Sequence, residues 1–136
     1  MPVRIRIRIE SDSGRSVLTP ALINSGYEAE QPELMVPLAL AQELGLWGRA
    51  VEEYARTPVG IGKVYVVCKR ARVQVVTEDR ESAPVDVCVL VSEFEREVLI
   101  SDYLAGELEI AVEDFAEGLW RFRWEPKERV GASARP

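Results

Sequence analysis

Histidine is absent from this chain of 136 residues, and that absence removes several classes of enzyme at once. Catalysis by a Ser-His-Asp triad or a Cys-His pair needs an imidazole base, so both are excluded. The usual zinc sites lose their commonest ligand, and two separated cysteines do not replace it. The chemistry that remains is that of carboxylates, of lysines, or of binding alone.

The chain also lacks a long apolar run and an excess of positive charge. No stretch approaches the roughly 18 apolar residues that a membrane span needs, and the first residues alternate instead of forming the apolar centre of a signal peptide. The formal net charge of -6 argues against general nucleic-acid binding, which depends on neutralising phosphates. We therefore expect a cytoplasmic protein with no membrane partner and no nucleic-acid partner.

Cysteine and asparagine are scarce. Cys68 and Cys88 form no Cys-x-x-Cys pair, and in a cytosolic protein we expect two small buried side chains, with a bridge left open if their strands are neighbours. Asn24 is the only asparagine, and glutamine is rare beside abundant Glu, Arg and Val. That composition leans toward a heat-adapted source.

The pattern of hydrophobic residues is mostly that of β-strands. Residues 3–10 alternate strictly, and residues 85–91 are nearly all apolar, which is typical of a central strand. In residues 63–77 the alternation is imperfect, which indicates partial burial on both faces. Strands are predicted at 3–10, 16–23, 34–36, 51–56, 63–77, 85–91, 97–100, 108–112 and 119–124.

Helical signals are few. Residues 37–44 are the best helix candidate, because proline stands in the first turn and Gly45 follows the last. Residues 102–105 predict a short helical turn that Gly106 stops. The expected fold class is therefore all-β with one short helix, a sandwich or barrel. We expect one domain over residues 1–124 and a disordered tail over residues 125–136.

Five short motifs follow one another in a recognisable order. The first is a strand, Ala21-Leu22-Ile23, that runs into Asn24-Ser25-Gly26. Next come Leu34-Met35-Val36-Pro37 and, after it, Ala41-Gln42-Glu43-Leu44-Gly45-Leu46. Gly60-Ile61-Gly62 forms a glycine-bearing turn, and Val98-Leu99-Ile100-Ser101-Asp102-Tyr103-Leu104 follows later. This order resembles that of the retropepsin-like aspartic proteases over roughly residues 16–124.

The chain departs from the family pattern at three places. Asn24 stands where the family has the aspartate of Asp-Thr/Ser-Gly, and Ser101 stands where the later motif has glycine. The loop at 27–33 is longer than the family's shortest forms and carries Glu28, Glu30 and Glu33. Asn24 is the departure that bears on activity, since a carboxamide cannot act as a base.

The resemblance implies a retropepsin-like barrel that works as a homodimer, since one chain supplies only half of a cleft. It implies catalytic positions at Asn24, Ser25 and Gly26, and a flap over an extended peptide formed by Val59, Gly60, Ile61 and Gly62. It implies no cofactor and no metal. If position 24 carried Asp, the activity would be that of an endopeptidase acting on peptides or unfolded protein. With Asn24 we expect binding without hydrolysis, and both a natural pseudoenzyme and an engineered Asp-to-Asn change stay open.

Other interpretations belong to other functional classes. A non-catalytic β-barrel module could use the same cleft to bind a peptide or protein. The stripe Arg4, Arg6 and Arg8 could contact nucleic acid, although a solvated strand face balanced by glutamates on neighbouring strands explains it better. Three loop glutamates, Glu28, Glu30 and Glu33, could gather a hard cation, but a solvated acidic loop is the simpler interpretation.

Overall fold

The computed structural model describes residues 3–23, 26–57, 60–126, 131–132 and 134. Over these residues the protein is mostly β, as the sequence predicts. The strands are β1 (Arg4–Ser11), β2 (Ser16–Ile23), β3 (Glu33–Pro37), β4 (Val51–Thr57), β5 (Gly60–Val75), β6 (Val85–Ser92), β7 (Val98–Ile100), β8 (Ile110–Asp114), β9 (Leu119–Phe122) and β10 (Gly131–Ala132). The helices are α1 (Leu38–Glu43) and α2 (Asp102–Glu107), with a 3-10 turn at Trp47–Arg49.

Six strands close into a mixed barrel in the order β1-β2-β7-β3-β6-β5. Closure comes from β1, which pairs antiparallel with β2 on one side and with β5 on the other. Two pairs are parallel, β2 with β7 and β3 with β6, and the other pairs are antiparallel. The strand β4 pairs only with β5 among the described strands, and so lies outside the ring.

The main core lies on the inward faces of the barrel strands. In β1 the strict alternation has the predicted effect, because Ile5, Ile7 and Ile9 are at most 1% exposed. The near-continuous apolar run of β6 is explained by its central position between β3 and β5. In β5 the imperfect alternation also has a cause: Val67 packs in the main core, and Val64 packs in a second cluster on the other face.

The two helices pack against this core. Gly45 follows α1 with φ of +73°, the left-handed conformation that ends helices and that glycine adopts without strain. The expectation of a single helix is wrong, because α2 continues through Gly106 to Glu107. Glycine inside a helix costs about 1 kcal/mol relative to alanine, and the burial of Leu104 and Ala105 against the core offsets that cost.

A second, three-stranded sheet has the order β10-β9-β8. Its strand β9 contributes Trp120 and Phe122 to the main core. Glu125 is buried, and Gly131–Ala132 pair with β9, within the stretch where the sequence predicts a disordered tail. The boundary between domain and tail stays a prediction.

The two cysteines form a disulfide, which overturns the expectation of two free buried thiols. Cys68 on β5 lies directly opposite Cys88 on β6 in an antiparallel pair. Directly opposed side chains in such a pair are close enough to bond, so the alternative that the sequence left open is the correct one. None of the described helices has the length and apolar character needed to cross a membrane.

Candidate functional site

The predicted catalytic segment follows the end of β2. Asn24 and Ser25 lie outside the described residues, as does Val59 of the predicted flap. Ile23 and Gly26, on either side of the gap, are described, and so are Gly60, Ile61 and Gly62. The surroundings of the site are therefore defined by the strand before it, the loop after it and the elements that contact both.

The strand β7 separates β2 from β3. Ile23 pairs with Ile100 in the parallel β2–β7 ladder, and Ile100 pairs with Leu34 in the antiparallel β7–β3 ladder. Because β2 and β7 are parallel, their carboxyl ends lie at the same edge of the sheet. Ile23 and Ile100, the last residues of the two strands, therefore lie side by side at this edge, although they are far apart in sequence.

Ser101 connects this edge to β3. Its side chain is fully buried, and its hydroxyl donates to the carbonyl oxygen of Glu33 at 2.6 Å. The same oxygen, Oγ, accepts the N–H of Leu104 at 3.2 Å and so caps the first turn of α2. In the sequence, Ser101 is recognisable only as a departure from the family's glycine. A serine directly before an acidic first turn is an N-cap signal that could have identified this role.

Asp102 holds the loop that follows position 24. Its backbone N–H donates to the carbonyl oxygen of Tyr27 at 2.8 Å. Its carboxylate oxygen Oδ1 accepts the N–H of Ala29 at 3.0 Å and that of Tyr103 at 2.6 Å. The first residue of α2 thus binds the loop twice, once as donor and once as acceptor.

Tyr27 and Glu33 form a second attachment within the loop. Tyr27 is only 5% exposed, and its hydroxyl donates to Oε1 of Glu33 at 2.9 Å. Burial raises the pKa of the half-buried Glu33 carboxyl; the bond from Tyr27 opposes this rise, and the Asp102 carboxylate adds to it. Burial, and then the nearby Glu33 carboxylate, also raise the pKa of the Tyr27 hydroxyl, which therefore remains a proton donor.

A small apolar cluster lies beneath this loop, on the outer face of the barrel sheet. It joins the loop to the strands on either side of β7 and to β5. Its buried members are Tyr27, Met35, Val64, Leu90 and Leu99, and Leu22, Ala29 and Val66 pack against them. Through Val64 and Val66, the base of the β4–β5 hairpin packs with the loop that follows position 24.

The predicted flap is the end of the β4–β5 hairpin. Thr57 pairs with Gly60, so the connection consists of residues 58 and 59, which lie outside the described residues. The glycine-bearing turn expected at residues 60–62 is wrongly placed, because Gly60, Ile61 and Gly62 are already in β5. Gly60 has φ of +122°, a conformation that side chains rarely adopt. A Cβ added at Gly62 would meet no atom within 4 Å.

The loop glutamates do not assemble into a metal site in the described part of the chain. No group there of three or more acidic or cysteine side chains has the geometry to hold a metal ion. Among the three, Glu33 is engaged by Tyr27, and Glu28 and Glu30 are exposed. The geometry thus favours a solvated loop over the cation site weighed from the sequence.

The arginine stripe on β1 is largely paired with carboxylates. Arg4 contacts Glu97 at 2.7 Å, and Arg8 contacts Glu81 at 3.3 Å. On the neighbouring strand β5, Arg72 contacts Glu10 at 2.7 Å. Two of the three arginines of the stripe thus have carboxylate partners, but Glu97 and Glu81 lie in connections and not on the strands beside β1, where the sequence predicts the balancing glutamates.

No protein-family model matches the chain, and a search of the curated proteins returns no match. These comparisons identify no family. The structure is that of a small, mostly-β protein with a closed six-stranded mixed barrel.

Proposed function

We propose that this chain is one half of a homodimeric, retropepsin-like peptide-binding cleft, with Asn24 at the position of the catalytic aspartate. In this proposal the chain with Asn24 binds an extended peptide or unfolded protein and does not hydrolyse it. The native activity would be that of an aspartic endopeptidase if the natural gene encodes Asp at position 24.

One observation carries the proposal: β7 lies between β2 and β3 and runs parallel to β2. This arrangement pairs two of the motifs that carry the resemblance, the strand Ala21–Ile23 that precedes Asn24 and the segment starting at Val98. The sequence presents them as unrelated stretches, and their register, Ile23 opposite Ile100, is a property of the fold alone.

The β4–β5 hairpin supports the same proposal. It extends beyond the barrel, because the pairing of β5 with β6 begins only at Tyr65, whereas its pairing with β4 continues to Gly60. Its base packs against the loop after position 24 through Val64 and Val66. The open space around Gly62, on the same face as Val64, would admit an extended peptide backbone close to the hairpin.

The chemistry at position 24 decides between binding and catalysis. In an aspartic dyad, two carboxylates share one proton because like charges so close cannot both ionise, and one of them activates water. A carboxamide keeps the hydrogen-bonding capacity and loses the base. General bases contribute roughly 10²- to 10⁴-fold to rate, and without either carboxylate the activation of water is lost altogether.

The dimer follows from the same chemistry. One chain contributes a single position 24, so a dyad requires a second copy across a two-fold axis. Light scattering at micromolar concentration should therefore give twice the mass of the chain. A monomer under these conditions would contradict a shared cleft.

The decisive experiment is Asn24→Asp, assayed against a reduced and alkylated unfolded protein between pH 3 and 7. We expect cleavage in the acid range that pepstatin inhibits, with no cleavage by the chain as written or by Asn24→Ala. Asn24→Ala is the matched control because it changes the same position without adding a carboxylate. A folded, dimeric Asn24→Asp variant that does not cleave would favour a non-catalytic interaction module, and peptide binding by that variant would identify it.

A further inference from the structure

The loop over residues 26–33 is anchored at its end by the Cys88 N–H, which donates to Pro32 O at 2.9 Å, and by Ser101 on Glu33 O, and further contacts hold its first half. Two involve α2: the Asp102 N–H donates to Tyr27 O at 2.8 Å, and the Ala29 N–H donates to Asp102 Oδ1 at 3.0 Å. A third contact, between the start of the loop and its end at the first residue of β3, joins the Tyr27 hydroxyl to the Glu33 carboxyl at 2.9 Å. This third contact depends on a carboxyl group that is half-buried beside an aromatic ring.

We propose that Glu33 is a pH-responsive positioning residue: the 26–33 loop, whose Tyr27 contacts the half-buried Glu33 carboxyl, closes against α2 more firmly when Glu33 is protonated than when it is ionised. The pH-dependent hold is a property of the loop itself. Its consequence for activity rests on the proposed function, because this loop directly follows position 24.

The direction of the effect follows from burial and charge. In the closed loop the Glu33 carboxyl is partly removed from water and lies near the Asp102 carboxylate, and both conditions disfavour its ionised form. If the loop opens, Glu33 returns to water and this penalty disappears. The hydrogen bonds from Tyr27 and Gln31 favour the ionised form of Glu33 and offset part of this penalty, but burial outweighs them. Protonation therefore favours the closed loop, and the neutral carboxyl can still accept the Tyr27 hydroxyl through its carbonyl oxygen.

Two other titratable groups act on Glu33, and they have different effects. Tyr27 stays protonated, since its pKa is raised, so it does not switch in the acid range. The Asp102 carboxylate raises the pKa of Glu33, and its Oδ1 also accepts the Ala29 N–H of the loop. Cys88, opposite Glu33 on β6, does not titrate because it is in the disulfide.

This behaviour would match the site to acid conditions. A dyad of two carboxylates needs acid to hold its shared proton. Protonation of Glu33 would likewise order the adjoining loop as the pH falls. At neutral pH the loop would loosen, and a smaller fraction of the molecules would have it closed against α2.

The test is amide hydrogen exchange, measured by NMR on the whole chain as written between pH 7 and 4.5 and corrected for intrinsic exchange. We expect the protection factors of the Ala29 and Asp102 amides to rise several-fold toward acid. In Glu33→Gln, a neutral isostere, protection should be nearly constant with pH. In Tyr27→Phe, which keeps the ring and loses the hydroxyl, protection should be lower throughout.

Asp102→Asn is the matched control, because it keeps Oδ1 as an acceptor and cannot titrate. The acid-dependent rise should persist in Asp102→Asn. Protection that is flat or falls toward acid in the unsubstituted chain would overturn the proposal, as would a full rise in Glu33→Gln. These readouts need no cleavage, so an inactive Asn24→Asp variant would contradict the proposed function alone. If Asn24→Asp cleaves, adding Glu33→Gln should preserve more of its activity toward neutral pH.

Discussion

The hydroxyl of Ser101 donates to the carbonyl oxygen of Glu33 at 2.6 Å, which connects the start of β3 to the start of α2. The same hydroxyl caps α2 by accepting the N–H of Leu104, and the side chain is fully buried. One small side chain therefore joins the two elements that hold the loop after position 24. In a chain with glycine at this position, backbone groups or water would have to make both contacts.

Ser101→Ala should destabilise the protein by about 1–2 kcal/mol, because it removes the cap and one of the bonds to Glu33. The loss is limited, since the Ser101 N–H also donates to the Glu33 carbonyl oxygen, at 3.2 Å. Urea unfolding measures the change. The exposed Ser16, at the start of β2, is the control: Ser16→Ala should fall within about 0.5 kcal/mol of the unsubstituted chain. Equal losses in the two variants would contradict the role given to Ser101.

Local structure was predictable where the signal is local. The alternation of residues 3–10 predicts β1 to within one residue at each end, because one face of the strand is buried and the other faces solvent. The proline and glycine on either side of α1 gave its ends, because each residue favours a particular backbone conformation. The missed length of α2 reflects tertiary burial overriding the low helix propensity of Gly106.

Long-range structure was not predictable in the same way. Nothing in the short apolar run at 98–100 indicates that it inserts between β2 and β3, or that its pairing with β2 is parallel. The closure of the barrel through β1 and β5, and hence the opposition of Cys68 and Cys88, depends on contacts between distant segments. In the candidate site, Asp102 and Tyr27 have no sequence signature as partners, because their bond uses backbone atoms that every residue carries.

Glu125 should contribute strongly to stability although it lies beyond the predicted end of the domain. Its side chain is 2% exposed, contacts Nε of Arg80 at 2.8 Å and accepts the N–H of Phe122 at 2.9 Å. Glu125→Ala would leave the guanidinium of Arg80 in a mostly buried position without this carboxylate, and breaking such a pair costs about 3 kcal/mol. Thermal and urea unfolding measure the loss.

A second comparison separates Glu125 from the residues after it. A chain ending at residue 126 should be more stable than a chain ending at residue 124, since only the longer one retains Glu125. The matched control for Glu125→Ala is Glu117→Ala, at an exposed turn position, which should change the free energy of unfolding by less than about 0.5 kcal/mol. If the two shortened chains unfold at the same urea concentration, the domain ends at 124 as the sequence predicts.

Acid should weaken the ion pair between Arg4 and Glu97. The hydrogen bond from Arg4 lowers the pKa of the Glu97 carboxyl below its ordinary value. The stability that this pair contributes is therefore fully present above the ordinary pKa of glutamate, and it is lost as pH falls through the lowered value. At pH 7 the Tm of Glu97→Gln should be lower than that of the unsubstituted chain. The difference between the two Tm values should narrow below about pH 4. If the difference in Tm stays constant down to pH 2.5, the charge of Glu97 is not the source of the stability that the substitution removes.

Gly62 provides the sharpest test of the hairpin as a flap. Its surroundings are open, and its φ is not in the left-handed range, so Gly62→Val should fold normally and gain up to about 1 kcal/mol from the stiffer strand. The new side chain would project on the face that Val64 shares with the loop after position 24, where the proposed peptide would lie. We therefore expect Gly62→Val, made in the Asn24→Asp background, to weaken pepstatin binding at least tenfold by calorimetry. Ile61→Ser changes the opposite face of the same strand, where Ile61 is 76% exposed, and should leave pepstatin affinity unchanged. Equal effects of the two substitutions would mean that the hairpin does not close over a peptide on the face of Gly62.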